Sequence, residues 1–197
     1  MDEFVTLKLN DIAEIQTGIY RIPDLYGDVI YLQAKHFTKN GVLISPEHLT
    51  RELRLTANLE KHLLKNDDIL FAAKGDKNFA FRYHADMGDA VASSTFLVIR
   101  IKEEQHHKII TEYLQWLLNH PFTQSRLKAQ ARGSSLPHIS KKELAKLLIP
   151  LPPLPKQQRI LEMYDLWQRE MNLSQQIIDK KQKLYQAILY NWAKGEE

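Results

Sequence analysis

The chain has 197 residues, of which 44% are hydrophobic and 26% charged, with a net charge of +3 and no cysteine. That length supports one substantial core with an appended element, and the balance of apolar to charged residues excludes a disordered chain. Lack of cysteine excludes disulfides and thiolate chemistry and fits a reducing cytoplasm. No stretch reaches the roughly 20 apolar residues that cross a bilayer, and Asp2 and Glu3 stand where an export signal would be basic.

Residues up to about 105 read mostly as short strands and turns. A strand is expected over 29–35, and Asn40-Gly41 is a hairpin signal ahead of Val42-Leu43-Ile44. Strands over 69–74 and 79–83 flank the turn Gly75-Asp76-Lys77-Asn78, with Asp67-Asp68 as a turn before the first of them. Phe79, Phe81 and Tyr83 alternate, which predicts core packing rather than a stacking platform for bases. Residues 94–101 are β-branched and aromatic, hence a further strand. Ile110, Tyr113, Leu114, Leu117 and Leu118 recur at helical spacing, so 109–119 is a helix that stops before Pro121. A second helix with a basic surface covers 122–131 and ends at Gly133.

The next segment has a readable local mechanism at each step. Gly133-Ser134-Ser135-Leu136-Pro137-His138 is a turn and an extended step. Ser140 caps a short helix, with Glu143 reaching back from its third position as a capping box. Residues 147–151 read as a strand in which prolines leave few ladder donors. Pro155 suits the first turn of a further helix. From there to Lys194 there is neither Pro nor Gly, so one helix of about 40 residues, near 60 Å long, is expected. Its apolar residues recur every seven positions: Tyr164, Met171, Ile178, Tyr185 and Trp192 on one seam, Ile160, Trp167, Lys181 and Ile188 on the second, with polar Ser174 between them. A stripe of this length needs another helix. The reading is a dimer interface through those nine apolar and basic positions, or, second in rank, a helix lying across its own domain.

This linker resembles the specificity (S) subunit of Type I restriction-modification systems. The shared pattern is the Gly-Ser turn, the Leu-Pro-His step, Ser140-Lys141-Lys142-Glu143-Leu144, Ile149-Pro150-Leu151-Pro152-Pro153-Leu154, and Gln157-Gln158-Arg159-Ile160 opening a long helix. Weaker echoes are Leu32-Gln33-Ala34-Lys35-His36-Phe37 and Leu63-Leu64-Lys65-Asn66-Asp67-Asp68-Ile69-Leu70, where Asn66-Asp67 replaces a usual Gly. The resemblance covers essentially the whole chain. It departs from ordinary members in one large respect: they carry two recognition domains and two long helices, and this sequence carries one of each. The resemblance implies an α+β fold with a β-rich target recognition domain at 1–150 and a linker and long helix at 151–197. It also implies sequence-specific binding of double-stranded DNA at a bipartite site, and partnership with methyltransferase (M) and restriction (R) subunits that carry the methyl donor and ATP. A homodimer through the long helix would supply the missing half. Stand-alone DNA-binding regulation and a helical scaffold are the alternative functions.

Catalytic chemistry is not legible. An adenine-gripping loop needs a polar-Pro-Pro-aromatic run, and Leu151-Pro152-Pro153-Leu154 has neither flank. No Gly-rich strand-to-helix turn for a methyl-donor or nucleotide cofactor stands out, and no His pair has metal-ligand spacing, so no cofactor or metal is expected. DNA contacts have candidates in predicted loops: Lys35, His36 and Lys39 in one hairpin, and Lys74, Lys77, Asn78 and Arg82 around another. Arg126, Lys128 and Arg132 lie on the basic helix, with Ser134, Ser135, Lys141 and Lys142 after it. Residues 125–146 hold six Lys or Arg against one acid, an excess above the +3 of the whole chain. Such cations hold phosphates, while loop side chains that reach base edges choose sequence.

Overall fold

The computed structural model describes residues 5–24, 26–75, 78–130 and 138–195. In chain order its elements are β1 (Val5–Lys8), α1 (Leu9–Ile12), β2 (Ala13–Thr17), β3 (Val29–Leu32), β4 (Arg51–Leu53), α2 (Ala57–Glu60), β5 (Ile69–Ala72) and β6 (Ala80–Arg82). They continue with β7 (Ala90–Ala92), β8 (Phe96–Ile101), α3 (Thr111–Asn119), α4 (Pro121–Gln130), α5 (Lys141–Ala145), β9 (Leu148–Leu151) and α6 (Leu154–Ala193). The fold is α+β, and the expected strands at 29–35, 69–74, 79–83 and 94–101 are present in shortened form. The first stops at Leu32, because Gln33 to His36 turn tightly, with the His36 N–H donating to Gln33 O at 3.0 Å.

Three sheets form: β2-β8-β5-β6, β4-β3-β7 and the pair β1-β9. Side-chain alternation decides what each face meets. Ile30, Leu32, Ala90 and Ala92 from β3 and β7 share one cluster with Leu70, Ala72, Phe96 and Val98 from β5 and β8. The opposite face of β3 and β7, Val29, Tyr31 and Val91, packs with Leu59 of α2. On β5 and β8 the alternate residues Ile69, Phe71, Leu97 and Ile99 are buried as well, while α3 packs on β6 and α5 on β2. Strands covered on both faces read as unbroken apolar runs, as 69–72 does. Phe79 and Tyr83 are core residues and Phe81 packs against that core, as their alternation predicts. The Asn40-Gly41 turn is also as expected, with φ of 78° at Gly41 and the Thr38 N–H donating to Val42 O at 2.7 Å.

The buried charge of Asp68 is paired. Asp68, 1% exposed, accepts from Arg100 Nε at 2.7 Å and Nη2 at 2.6 Å, and from the Lys65 N–H at 2.8 Å. Asp67, at a φ of 69°, forms the predicted turn just before it. That hydrogen-bonded pair, more than any nearby charge, raises the already high pKa of Arg100.

The Pro-rich linker is part of the first unit. β9 pairs antiparallel with β1, Pro150 opposite Thr6 and Ile149 opposite Leu7. A two-stranded edge tolerates a proline that a central strand would not. Gln157, 0% exposed, locks the start of α6: its Oε1 accepts from the Ile110 N–H at 2.9 Å, and its Nε2 donates to Lys108 O and Pro152 O, each at 2.7 Å. By its contacts the chain divides into Met1–Gln157 and Gln158–Glu197. α6 itself spans 40 residues with Pro155 in its first turn. Along it Trp167, Met171, Ile178, Tyr185 and Trp192 are between 52% and 66% exposed. Ile160, Tyr164 and Ile188 are intermediate and Lys181 is exposed.

Candidate nucleic-acid interface

Strand direction brings distant loops to one end of the two larger sheets. β3 and β7 run parallel and finish together, Leu32 beside Ala92. β5 finishes where β8 begins, Ala72 beside Phe96, and β2 finishes there too, Thr17 beside Leu97. The connections that start at Gly18, Gln33, Ala73 and Ser93 therefore leave the sheets at the same end. Hydrogen bonds knit them: Ser93 N–H to Leu32 O at 2.9 Å, Ile19 N–H to Ala92 O at 2.9 Å, Ala73 N–H to Thr95 O at 3.0 Å, and Ile139 N–H to Ala73 O at 2.9 Å. A Cβ on Gly18 would stand 2.1 Å from Ser93 O, so this approach needs glycine. Lys74 and His138 face each other across a bridge, and the His138 Nδ1 lies 3.2 Å from Ala73 O. Ser140 then caps α5 as expected: the Glu143 N–H donates to Ser140 Oγ at 3.2 Å and the Ser140 N–H donates to Glu143 Oε2 at 2.7 Å.

Lys35, Lys39, Lys74 and Lys141 are exposed at or next to this end. Lys39 rides the Asn40-Gly41 turn, which presses on the Phe79 ring. Lys141 opens α5 immediately after the strand-like step that Ala73 holds. His36 is half-buried and its Nδ1 accepts from the Gln33 N–H at 3.2 Å. Burial first, then the Lys35 charge, hold its pKa below the ordinary imidazole value against the opposing pull of Glu52. It is neutral at pH 7, so it offers an Nε2 donor and no phosphate-neutralising charge. Arg126, Lys128 and Lys142 are exposed on α4 and α5, which pack together. Lys77, Arg132, Ser134 and Ser135 lie outside the described residues.

Two of the expected DNA contacts are engaged within the fold. Asn78 is 8% exposed, and its Nδ2 donates to Ala72 O at 2.7 Å, so it closes the turn from within. Arg82 pairs across the hairpin with Ile69, at the end of β5 remote from Lys74. Its guanidinium is engaged by Asp67 at 3.2 Å and by Glu112, with a side chain 19% exposed. Both residues stand near the turn in sequence, but the pairing register carries one inward and the other away. Conversely, sequence reading did not place Tyr20 and Arg21 after β2, or the paired hydroxyls of Ser93 and Thr95, 2.7 Å apart, at this end of the sheets. Gly18 after an apolar strand was the one local signal of a close approach there. Among the described residues no three His, Asp or Glu side chains gather as a metal site.

The family model described as Type I restriction modification DNA specificity domain matches residues 1–181. The chain belongs to this family. A curated relative of this specificity-domain chain, the Type I restriction enzyme MjaVIII specificity subunit of Methanocaldococcus jannaschii, is 34% identical over 87 residues, 42% of this chain and 20% of that protein. Two solved structures share the fold. The Type I restriction-modification S subunit from M. genitalium superposes with a TM-score of 0.58 at 13% identity, covering 85% of this chain and 40% of that one. The HsdS subunit from Thermoanaerobacter tengcongensis does so with a TM-score of 0.58 at 17% identity, covering 85% and 38%. The specificity-domain chain thus spans about two fifths of the solved subunits it matches. Among its described residues no helix is long and apolar enough to cross a membrane.

Proposed function

We propose that this chain is a non-catalytic DNA-reading unit of a Type I restriction-modification system, directing separate methyltransferase and restriction subunits to a bipartite double-stranded site in the cytoplasm. The observation that carries this reading is the convergence of exposed Lys35, Lys39, Lys74 and Lys141 with the hydroxyl-bearing Ser93-Thr95 turn at one end of the sheets, on a chain of the specificity-domain family. Cations there neutralise phosphates and fix register, while neutral His36 and the turn hydroxyls offer donors and acceptors to base edges.

The exposed stripe on α6 supports a second copy as its occupant. Apolar surface left in water costs about 25 cal/mol per Å², and Trp167, Met171, Ile178, Tyr185 and Trp192, each 52% to 66% exposed, repeat along the 40-residue helix. A two-fold axis between antiparallel helices relates identical reading units, so they meet inverted copies of one half-site. The target is then a gapped palindrome. The test is methylome sequencing of cells that express the chain with its methyltransferase subunit. A gapped palindromic motif that disappears when the chain is deleted is the expected result. Methylation that persists unchanged without the chain would refute the function, and an asymmetric motif would refute the homodimer.

A further inference from the structure

The connection that leaves β2 carries large apolar side chains into solvent: Tyr20 is 73% exposed and Ile22 78%. Yet the backbone that presents Tyr20 is clamped. Tyr31 of β3 is 2% exposed, and its hydroxyl donates to Ile19 O at 2.8 Å while accepting the Arg21 N–H at 3.1 Å. The Arg21 guanidinium folds back to donate to Tyr20 O at 3.0 Å. Upstream, the Gly18 and Ile19 N–H groups are spent on Phe96 O and Ala92 O. The peptide groups on both sides of Tyr20 are therefore fixed from the core, and only its side chain is left in solvent. A phenol ring held this way loses little conformational freedom on binding, which is how aromatic contacts reach affinity cheaply.

The surroundings say what the ring meets. Ser93, whose carbonyl crowds Gly18, opens the turn whose Thr95 O accepts from the Ala73 N–H beside Lys74, and Arg21, Lys35 and Lys74 are all exposed at this end. The nearest acid in the connection, Asp24, is spent on Arg54 at 3.0 Å. An exposed ring at the same end of the sheets as these cations, with the neighbouring acid paired, complements a polyanion whose grooves offer base edges and thymine methyl groups. We propose that Tyr20 contacts bases of the target DNA, and that Tyr31 is the positioning residue that aims it. This rests on the DNA-reading function proposed above.

The test uses the chain co-purified with its methyltransferase subunit, measured against duplexes selected by the wild type from a random pool. Tyr20→Ala is expected to lower affinity for the selected duplex about 10-fold, the scale of one base-edge contact in a groove, with random-sequence affinity and the thermal midpoint nearly unchanged. Tyr31→Phe keeps the buried ring and removes the clamp. It should lower the ratio of selected to random affinity in the wild-type background and leave it unchanged in the Tyr20→Ala background. A purely structural role for the Tyr31 hydroxyl would instead lower both affinities together in both backgrounds, and that outcome overturns the positioning role. Tyr20→Ala with motif and affinity intact overturns the contact, while wild-type selection of a motif keeps the DNA-reading function standing. A wild type that selects no motif fails that function itself. Loss of methyltransferase co-purification in Tyr20→Ala, with sequence preference intact, would make the ring a protein-docking residue and refute the proposal.

Discussion

Gln157 is the first residue of the Gln-Gln-Arg-Ile run that opens the long helix, and its three hydrogen bonds make a strong prediction. Gln157→Leu keeps the volume approximately and removes the Ile110 N–H, Lys108 O and Pro152 O partners together. The bond to Pro152 O is fully buried, and orphaning that carbonyl costs about 1–3 kcal/mol. The other two are partly buried, so water replaces the lost partner in part and each costs about 0.5–1 kcal/mol. The sum is about 2–5 kcal/mol, and at about 2–4 °C per kcal/mol for a unit of this size the midpoint falls by about 4–20 °C. Calorimetry of the full chain, with near-ultraviolet circular dichroism to follow the aromatic core, reads it directly. Gln157→Glu is the sharper variant. It can still accept from the Ile110 N–H, but it turns two donors into acceptors facing two carbonyls at a site with 0% exposure. It should cost more than Leu at pH 7. A midpoint within about 2 °C of wild type for Gln157→Leu would refute the claim that this side chain ties the helix start to the recognition unit.

Charges at the reading end and charges inside the fold should separate cleanly. Lys74→Ala should reduce the slope of log K against log salt by about 0.9 with stability unchanged, whereas Arg82→Met should leave the slope alone and cost about 1 kcal/mol, because the partners it loses, Asp67 and Glu112, are partly solvated; the reverse pattern in salt titrations and urea unfolding would overturn the placement. The Glu143 carboxyl is held below the ordinary carboxylate range, first by the Ser140 N–H and then by its hydroxyl. Its folded value is depressed, so its contribution is present above the unfolded value and is lost as pH falls through the folded one. Glu143→Gln should therefore be less stable than wild type at pH 7 and converge with it in acid, as thermal midpoints across pH will show. Ser140→Ala should cost about 1 kcal/mol by removing the cap. Met171→Glu with Ile178→Glu should yield monomers in light scattering at micromolar concentration and abolish gapped-site methylation, and a wild type that is itself monomeric would refute the paired helix.

Local interactions wrote themselves into the sequence. The capping box at Ser140 and Glu143, the Asn40-Gly41 turn, the alternation of Phe79, Phe81 and Tyr83, and the unbroken helix from Pro155 onward each depend on residues a few positions apart, so spacing alone declared them. The linker motif carried the family for the same reason. What tertiary structure decided was everything that strand pairing sets. β1 pairs with β9 across more than a hundred residues, which makes the Pro-rich segment part of the Met1–Gln157 unit. Asn78 and Arg82 looked like loop-tip residues because they flank a turn, yet register buries one and sends the other to the far end of the hairpin. Tyr20, Ser93, Lys35 and Lys74 are scattered through the chain, and only the shared direction of β2, β3, β5 and β7 brings their loops together. Sequence spacing records contacts within one turn or one strand. A surface assembled from the ends of several strands has no such spacing, because the distances that matter run across hydrogen bonds rather than along the chain.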